Sequence, residues 1–526
     1  MRKFLLTVLS LLLLPLTLLA KSMEVEIRSQ EEFDRLGNTL AGALKGGFSE
    51  INVRIAKGVY YFRELHLQLL NYSCPGTVVV LDGGGATFIG SGEDLLLKRR
   101  KKGRYTASYD AYDWRHGVVE TERLADVPPF GPLRRALGPV EIVDAKAGLC
   151  RFAASEQAQR HPERMFVRLT SWYLAMMYPV EKIADGYVWF RASDLSRNGA
   201  FYNVEGDRSY GGTLPKYQIV NSPEADVCWA DGRLRAARKG EYHICRASQF
   251  LQIGDCKFKS LEIRNFQFLG NSDLREVMMH VYRTTGDIHL HDCTFRGIRN
   301  HVVSVSGTKA VRITDCRIEG CYRGFFRDYE DASGSRICRN TFRNNQLLFN
   351  NFMDVICRGK DFLVSENVFS DFSYSAIGIG THFASEAKPV ASGVVEKNEI
   401  FYSDAFRKEP SRTLMDSGAI YCWTGCAGVI IRDNYIHDYT GGKDNRGIFG
   451  DDGTCNVTVS GNRILRIGNS FCIDFRRVES VETRADSRHK KVNTGIKMYD
   501  NTVDGTVRFE PRPGDKTSRL GANKFL

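Results

Sequence analysis

Several features that mark common protein classes are missing from this chain. Beyond its first twenty residues, no stretch reaches the roughly 18 apolar residues of a membrane helix, so no membrane span is expected. No basic run is interleaved with aromatic residues, and the net charge of +11 is modest for the length, which argues against nucleic acid as a partner. Proline is scarce, at 14 of 526 residues, and 43% of the residues are hydrophobic, which argues against disorder.

Cysteine is not scarce, but its spacing defines no site. Fourteen cysteines are present, and Cys422 and Cys426 lie close together in "CWTGC". No second Cys or His pair follows at a zinc-ligand spacing, so no metal is predicted. Buried free thiols are the favoured interpretation, and one or two disulfides stay open because the chain is expected to be exported.

Residues 1–20 combine a charged start (Arg2, Lys3), a leucine-rich centre and a small residue at Ala20. This layout is typical of a secretory signal peptide and predicts a secreted or periplasmic protein. The remaining chain of about 500 residues is longer than one compact core usually organises. It therefore predicts several domains or a repeat architecture.

A short phrase recurs from residue 260 onward, and its third residue forms a series. Successive members are 23 to 39 residues apart, with the short intervals in the mid-twenties. The series runs Phe266, Cys293, Cys316, Asn340, Asn367, Asn398, Asn434, Asn462 and Asn501. Three strands of about five residues each fill such an interval. The sequence therefore predicts an all-β fold, a right-handed parallel β-helix, which is a single-stranded solenoid.

The repeated asparagine has two expected roles. It tolerates the left-handed backbone region that a corner between strands requires. Stacked coils would also place the amides above one another, where they can form a hydrogen-bonded ladder. The apolar residue two positions later is expected to point inward, as at Phe295, Ile318, Phe369, Ile400, Ile436 and Ile464.

The chain divides into three parts after residue 20. In residues 21–94, Ser29 and Glu32 form a capping box before an amphipathic helix that would cover the N-terminal end, and the first β-helix strands follow. Residues 95–250 lack the ladder and alternate like antiparallel strands, which predicts an inserted β-rich domain that could form one wall of a cleft. Residues 251–526 form the main β-helix.

Strand-like segments within the main β-helix can be aligned by their apolar residues. The aligned segments are 347–351, 376–382, 419–425, 447–453 and 471–477. Alternate residues point outward, and equivalent positions on successive coils stack about 4.8 Å apart. With Ile377, Ile420, Ile448 and Phe471 pointing inward, one outward column is predicted to hold Gly380, Trp423, Asp451 and Asp474. A second column is predicted to hold Tyr421 and Phe449.

Carboxylates beside aromatic residues are what cleavage of a glycosidic bond requires. One carboxyl group acts as general acid and another as base or nucleophile, while aromatic faces pack against sugar rings. The predicted catalytic residues are Asp416, Asp451 and Asp474. The predicted substrate-binding residues are Trp423, Tyr421, His437, Asp452, Arg446 and His382. Gly380 is expected to leave room for a ligand.

Most of these residues also have a structural interpretation. Asp416, Asp451 and Asp452 lie near glycines, where aspartate is common in turns. Asp474 could pair with the nearby Arg476 or Arg477, His437 could bond the ladder, and Trp423 could pack under a loop. The convergence of several candidates on three successive coils favours a site.

Three phrases resemble a known group of proteins: "DSGAIY" (416–421), "NYIHDY" (434–439) and "GIFGDDG" (447–453). The chain resembles secreted β-helix proteins of the pectate-lyase-like superfamily, and most of all the β-helical glycoside hydrolases of the α-L-fucosidase and xylanase type. The resemblance implies a retaining or inverting glycosidase with acidic residues at Asp416 and at Asp451 or Asp452. Ser417 stands in place of a glycine, and Phe449 in place of a tyrosine.

Three functions follow as hypotheses. The first is an exported glycoside hydrolase that acts on a polysaccharide or oligosaccharide, and it is expected to be a monomer without a cofactor. The second is a polysaccharide lyase on the same scaffold, which would abstract a proton with Lys or Arg and use Ca²⁺ held by aspartates. No lysine stands in the outward column, which disfavours the lyase. The third is a non-catalytic glycan-binding β-helix.

Overall fold

The structure is a computed structural model. It describes residues 21–99, 104–111, 113, 115–156, 164–171, 174–192, 216–222, 224–347, 352–380, 390–408, 414, 416–440, 445–451, 453–468, 471–475, 494–511 and 514–526. The predicted signal peptide, residues 1–20, lies outside them. Within these ranges, no helix has the length and apolar character needed to cross a membrane.

Three long sheets, all of parallel strands, run the length of the molecule and confirm the parallel β-helix. The thirteen strands of sheet 1 are Ser22–Ile27, Glu50–Ile55, Ser73–Asp82, Lys257–Arg264, Thr285–His291, Val311–Thr314, Arg336–Cys338, Phe362–Ser365, Ala391–Glu396, Cys426–Arg432, Val457–Ser460, Lys497–Tyr499 and Arg519–Leu520. The eleven strands of sheet 2 are Leu67–Leu70, Leu251–Gly254, Val277–Tyr282, His301–Ser306, Phe326–Asp328, Met353–Cys357, Ser375–Ile379, Ser417–Cys422, Asn445–Gly450, Phe471–Phe475 and Thr506–Phe509. The twelve strands of sheet 3 are Val59–Phe62, Thr87–Gly90, Gln267–Leu269, Thr294–Arg296, Arg317–Glu319, Thr341–Arg343, Val368–Ser370, Glu399–Phe401, Tyr435–His437, Arg463–Leu465, Thr502–Val503 and Lys524–Phe525.

Each coil visits the sheets in a fixed order. From a sheet 1 strand such as Cys426–Arg432 the chain turns into Tyr435–His437 of sheet 3, then into Asn445–Gly450 of sheet 2, and returns to sheet 1 at Val457–Ser460. One strand of one coil is called a rung below. Side chains from all three sheets meet in one continuous core, which includes the predicted inward residues of the repeat.

The N-terminal end is covered as the capping box predicts. Ser29 Oγ accepts from the backbone of Glu32, and the Glu32 carboxylate accepts in return from the backbone of Ser29. The expected single helix is two helices, α1 (Gln30–Asp34) and α2 (Leu36–Lys45), which meet at Arg35. The core-facing residues Phe33, Leu36 and Leu40 are fully buried against the first coils.

The part of the chain between the first coils and Leu251 forms two antiparallel sheets of seven strands, in agreement with a β-rich insertion. One contains, in spatial order, Ala125–Asp126, Gly117–Glu120, Gly240–Cys245, Gly92–Arg99, Tyr105–Ser108, Arg233–Ala236 and Val227–Ala230. The other contains Arg134–Arg135, Lys216–Val220, Phe166–Ser171, Leu174–Ala184, Tyr187–Arg191, Leu149–Ala153 and Glu141–Asp144. Each sheet has a hydrophobic core of its own.

The asparagine ladder is present and continues one rung further than the sequence series. Asn434 shows its pattern: its side-chain amide donates to Val395 O at 3.0 Å and to Asn462 Oδ1 at 2.9 Å. Its own Oδ1 accepts from the backbone and the side chain of Asn398. At the C-terminal end, Asn501 donates in the same way to Asn523, which the sequence series missed.

The expected backbone role of the ladder asparagines is wrong. The residue in the left-handed region is the one before each asparagine, for example Lys397 (φ 55°), Asp433 (φ 55°) and Asp500 (φ 57°). Residues of several chemical types therefore take the strained position. What the asparagine supplies is the amide, which bonds buried backbone groups on two coils at once.

All fourteen cysteines are free, as the favoured interpretation expects. Cys74, Cys338 and Cys455 are partly buried and the rest are buried. At the ladder positions, the thiols of Cys293 and Cys316 donate to backbone carbonyls two residues back, at 3.2 and 3.3 Å. A small buried donor thus replaces the amide in the early coils.

One carboxyl group is buried inside the β-helix itself. Burial raises the pKa of Asp354 to about 8, against the lowering effect of hydrogen bonds from Gln346 and Asn345. The group is 1% exposed and lies on the sheet 2 strand Met353–Cys357. It is therefore a neutral acid at pH 7 and packs as a polar but uncharged side chain.

Replacing a central ladder amide should destabilise the coils on both sides. Asn434→Leu leaves buried backbone groups of neighbouring coils without partners, and we expect the free energy of unfolding to fall by about 2–4 kcal/mol. Asn523→Leu, at the exposed last rung, should lose clearly less. Urea unfolding of both variants measures the difference, and equal losses would contradict a ladder that stabilises the interior.

The buried acid should make stability depend on pH. In the unfolded chain Asp354 titrates near pH 3.9, whereas in the folded chain it keeps its proton up to about pH 8. The folded state thus binds more protons between these values, so the stability that the proton supports is lost as the pH rises from about 4 to about 8. Asp354→Asn should flatten this decline and raise the melting temperature at pH 8.

Thermal unfolding at pH 5 and pH 8 tests the effect of Asp354→Asn. Asp361→Asn, at an exposed position on the next corner, is the control and should leave the pH dependence unchanged. If Asp354→Asn and the unaltered protein declined equally between the two pH values, the buried acid would not be protonated in the folded state.

Candidate active site

The candidate residues gather on the outer face of sheet 2, on the strands Ser417–Cys422, Asn445–Gly450 and Phe471–Phe475. Ile420, Ile448 and Ile473 pair across these rungs and point into the core. The next residues, Tyr421, Phe449 and Asp474, also pair and form a column on the outer face. Asp451 follows the end of its strand, and its backbone N–H donates to Cys422 O at 2.9 Å.

The predicted register is wrong by two residues at Asp474. The sequence alignment turned Phe471 inward, but Ile473 takes that position. Phe471 is only partly buried and lies under the Arg508 guanidinium, 3.8 Å from its Cζ. Asp474 therefore joins the column of Tyr421 and Phe449, beside the column that holds Trp423 and Asp451. The shift of two residues keeps the side chain on the outer face. The first of the aligned segments is also wrong, because the strand that pairs with Ser375–Ile379 is Met353–Cys357 and not 347–351.

Arg446 connects two of the predicted catalytic carboxylates. Its Nε donates to Asp474 Oδ2 at 2.6 Å, and its Nη1 lies 3.5 Å from Asp416 Oδ1. The guanidinium also lies over the Phe449 ring, with Cζ 4.0 Å from the ring centroid. Arg446 is 3% exposed and Asp474 is fully buried, so this ion pair is shielded from water.

A second cation and a glycine complete this arrangement. Arg508 Nε lies 3.6 Å from Asp474 Oδ1, on the rung after it. On the other side, a Cβ atom at Gly418 would come within 2.7 Å of Phe449 Cβ. Only a glycine therefore lets Phe449 support the Arg446 guanidinium from below.

Asp451 is held by a tyrosine on the preceding rung. Tyr421 Oη donates to Asp451 Oδ2 at 2.7 Å, and both residues are buried. On the far side of the turn, the backbone carbonyls of Cys422 and Asp451 each accept from Thr454 Oγ1 at 2.9 Å. Tyr421 thus holds the Asp451 carboxylate from the preceding rung, and Thr454 holds the backbone of the turn that follows it.

Burial, together with the charges of Asp416 and Asp451, raises the pKa values of two tyrosines, Tyr421 and Tyr374. Burial raises the pKa of Tyr421 well above its usual range, and the charges of Asp451 and Asp416 raise it further. Burial and the same two carboxylates raise the pKa of Tyr374, whose ring centroid is 5.9 Å from that of Tyr421. Both phenols thus stay protonated, and Tyr421 acts as a donor toward Asp451.

The backbone aims Asp416 at the face of the sheet. Asp416 has φ 55° and precedes the strand Ser417–Cys422, so it lies at the corner where the chain enters sheet 2. Ser417 Oγ pairs with Tyr439 Oη at 2.8 Å, and that hydroxyl donates to Tyr374 O at 2.7 Å. The serine that replaces the family glycine is thus a buried support.

An apolar cluster surrounds these polar groups, and the insertion contributes to it. Trp423 is 6% exposed and packs on Tyr421, with ring centroids 5.0 Å apart. Leu133 of the insertion packs against the same cluster. Arg168 of the insertion donates to Leu347 O at 2.5 Å, beside the corner that leads into sheet 2. The insertion therefore contacts the sheet 2 side of the β-helix at these two points, and its role as the wall of a cleft stays a prediction.

Two predicted roles are not supported by the structure. Gly380 does not leave space for a ligand, because a Cβ atom there would lie 2.6 Å from Thr424 O, and its φ of 92° favours glycine. His437 lies on sheet 3 rather than sheet 2, where its ring nitrogens contact Asp438 at 2.7 Å and Glu399 at 3.2 Å. Its imidazole belongs to a surface charge network.

Asp452, His382, Arg476 and Arg477 lie outside the described residues, so their predicted roles stay predictions. Among the described residues, no group of three or more His, Cys, Asp or Glu side chains could hold a metal ion. Sequence reasoning missed Tyr374 and Arg508. Each stands near the site on a neighbouring rung, and only the register between rungs could have revealed them.

Comparison with known proteins gives similarity in structure alone. No protein-family model matches the chain, and no curated protein matches its sequence. A solved structure titled "Glycoside hydrolase" is similar over 95% of this chain and 96% of that chain, with 11% identity and a TM-score of 0.53. With the three parallel sheets, this likeness confirms the resemblance to β-helical glycoside hydrolases at the level of the fold.

Two further solved structures are less similar to this chain. "The complex structure of XylC with xylose" is similar over 96% of this chain and 86% of that chain, with 11% identity and a TM-score of 0.33. "Catalytic domain of GH87 alpha-1,3-glucanase in complex with nigerose" is similar over 76% of this chain and 99% of that chain, with 8% identity and a TM-score of 0.26.

Breaking the buried ion pair from one side should be strongly destabilising. Arg446→Met leaves the Asp474 carboxylate buried without its closest cation, and we expect a loss of about 3–5 kcal/mol in the free energy of unfolding. Arg446→Met/Asp474→Leu should recover most of it, because no buried charge remains. Arg508→Met, which removes the more distant and more exposed cation, is the control and should lose less. Urea unfolding of the four proteins checks the order, and a double variant no better than the single one would contradict it.

Proposed function

We propose that this protein is a carbohydrate-active enzyme, a glycoside hydrolase that cleaves a polysaccharide or oligosaccharide on the outer face of sheet 2. The observation that carries the proposal is the Asp451 carboxylate, which accepts a hydrogen bond from Tyr421. Asp416 lies near it, since the charges of both carboxylates add to the effect of burial in raising the pKa of Tyr421 and of Tyr374. Two carboxylates around one water-poor surface are the minimum that glycosidic cleavage requires.

The hydrogen bonds suggest a division of roles. Asp451, which accepts a hydrogen bond from Tyr421 Oη at 2.7 Å, is assigned as base or nucleophile. Asp416 is assigned as general acid. Arg446 pairs more closely with Asp474, at 2.6 Å, than with Asp416, at 3.5 Å.

Asp474 is assigned a positioning role rather than a catalytic one. Its side chain is fully buried and faces the guanidinium groups of Arg446 and Arg508, which places it out of reach of a ligand. It holds Arg446 in place, and Arg446 in turn contacts Asp416 and covers Phe449. Trp423 and Tyr421 contribute to the apolar floor beneath the substrate.

Two other observations support a hydrolase. The shared fold with a solved structure titled "Glycoside hydrolase" extends over nearly the whole of both chains. Arg446 is engaged by Asp474 at 2.6 Å and is poorly placed to act as the base of a lyase, while Arg476 and Arg477, the other arginines considered for that role, lie outside the described residues. With the leader of residues 1–20, we propose that the enzyme acts outside the cytoplasm, on a glycan of the surroundings.

The experiment is a screen of the purified protein against neutral and acidic glycans, followed by two variants on the best substrate. Asp451→Asn and Asp416→Asn should each lower kcat by 10²- to 10⁴-fold, because each removes one partner in proton transfer or bond formation. Asp433→Asn, at an exposed corner with a similar left-handed backbone, is the matched control and should keep full activity.

The products distinguish the remaining hypotheses. A hydrolase releases reducing ends without new ultraviolet absorbance, whereas a lyase leaves an unsaturated uronide that absorbs in the ultraviolet. The appearance of that absorbance would overturn the hydrolase. Full activity in both Asp451→Asn and Asp416→Asn would overturn the site. Binding to a glycan without any cleavage across the panel would favour a non-catalytic protein.

A further inference from the structure

A strip of cationic and aromatic side chains follows the candidate site along the same face of sheet 2. The strip is defined here as His280, Tyr282, Arg327, Tyr329 and Arg358. Strand pairing links the rungs directly: His280 pairs with Ser304, Ser304 with Arg327, and Arg327 with Ile356. The same column continues through Gly378 to Tyr421. The strip and the candidate site therefore share one surface.

Two residues of the strip, Tyr329 and Arg358, occupy the same position in their coils as Asp451 does in its own. Tyr329, Arg358 and Asp451 each follow the last residue of a sheet 2 strand. With rungs about 4.8 Å apart, Arg358 lies three rungs, or about 14 Å, from Asp451 toward the N-terminal end. A chain molecule lying along the helix axis at Asp451 would pass over Arg358 and then over Tyr329.

Two guanidinium groups flank the Tyr329 ring. Cζ of Arg327 and Cζ of Arg358 each lie 5.7 Å from its centroid. Tyr282 carries a similar contact with His280, with ring centroids 5.0 Å apart. All five side chains of the strip are partly exposed, so rings and charges are open to a ligand.

The positive charge of the strip is only partly balanced. Arg327 donates to Glu276 at 3.0 Å, but that glutamate is 76% exposed and can move aside. Arg358 Nε is buried and has no hydrogen-bond partner among the described residues. Asp328, the nearest carboxylate behind Arg358, is engaged by the backbone N–H groups of Arg358 and Gly359 and by Ser335 Oγ.

The positive charges of these arginines also affect the pKa of a neighbouring histidine, His301. His301 is buried behind the strip, and burial lowers its pKa well below the usual range. The positive charges of Arg327, Arg323 and Arg358 lower the pKa of His301 further. Of these, Arg323 is neutralised by Asp273 at 2.8 Å, which leaves Arg327 and Arg358 as the cations that face outward.

We infer that the substrate is an acidic glycan, and that the strip binds the anionic groups of the sugar residues that extend from the cleavage point toward the N-terminal rungs. This inference rests on the proposed function. Guanidinium groups bind carboxylate and sulfate oxygens with paired hydrogen bonds, and tyrosine rings pack against sugar faces. The hydroxyl oxygens of a neutral glycan could accept from these guanidinium groups but would not balance their charge. The shared chemistry is an anionic substituent, which a uronate or a sulfate ester can supply.

Binding, rather than activity, tests the inference. Affinity electrophoresis of the Asp451→Asn variant in gels containing polygalacturonate, dextran sulfate or neutral xylan compares a carboxylate, a sulfate and an uncharged polymer. We expect at least one acidic polymer to retard the protein more than xylan does, and the retardation to weaken as salt is added. The arm that binds identifies the anionic group.

Two substitutions in the strip provide the residue-level test. In the Asp451→Asn background, Arg358→Gln and Arg327→Gln should each weaken binding of the acidic polymer by about tenfold, because each removes one charged hydrogen-bond donor. Arg312→Gln makes the same change of charge on sheet 1, on a different face, and should have little effect. A melting temperature equal to that of the parent shows that each variant is folded.

The outcomes separate this inference from the proposed function. Equal retardation by xylan and by both acidic polymers would overturn the inference, and so would an equal effect of Arg312→Gln and Arg358→Gln, which would indicate nonspecific charge attraction. Cleavage of a neutral glycan by the unaltered protein would then leave the hydrolase intact. Strip-dependent binding without cleavage of any glycan would support the inference and overturn the hydrolase.

Discussion

The hydrogen-bonded register between coils is the constraint on which the rest of the molecule depends. A central ladder asparagine such as Asn434 bonds the backbone of its own coil and of the preceding coil, and the side chain of the next ladder asparagine, so a slip of one rung would break several buried hydrogen bonds at once. Because side chains alternate with a period of two, that register also decides which residues face outward. A site made from three successive coils can be precise only because the coils cannot slide past one another.

The candidate site uses this rigidity to hold charges that would otherwise be unfavourable. Asp474 is fully buried, and a buried carboxylate is tolerated only with close and well-oriented partners. Arg446, one rung earlier, supplies the closest partner, and Arg508, one rung later, supplies a second. The Arg446 guanidinium also reaches Asp416, which lies two rungs before Asp474. The spacing of the rungs therefore sets the distance between the two carboxyl groups.

The repeat made much of this architecture predictable. The interval and the inward apolar residues indicated the parallel β-helix, and Trp423, Tyr421, Asp451 and Arg446 are indeed neighbours on one face. The register at Asp474 was not predictable, because loops of variable length separate the rungs and Phe471 and Ile473 are equally apolar. His437 was misplaced for a related reason: the motif "NYIHDY" begins at the ladder corner, and the strand that follows it belongs to sheet 3.

The contrast between sheets 2 and 3 explains why chemistry would concentrate on one face. Sheet 3 strands are short and place side chains such as Arg317 and Thr341 in water. On sheet 2, by contrast, every residue of Ser417–Cys422 and of Asn445–Gly450 is buried, although these strands form the surface of the solenoid. The covering comes in part from the insertion, through Leu133. Charges act more strongly on one another where water is excluded. The insertion therefore does more than enlarge the protein: through Leu133 it adds apolar cover to the cluster that contains Tyr421 and Trp423.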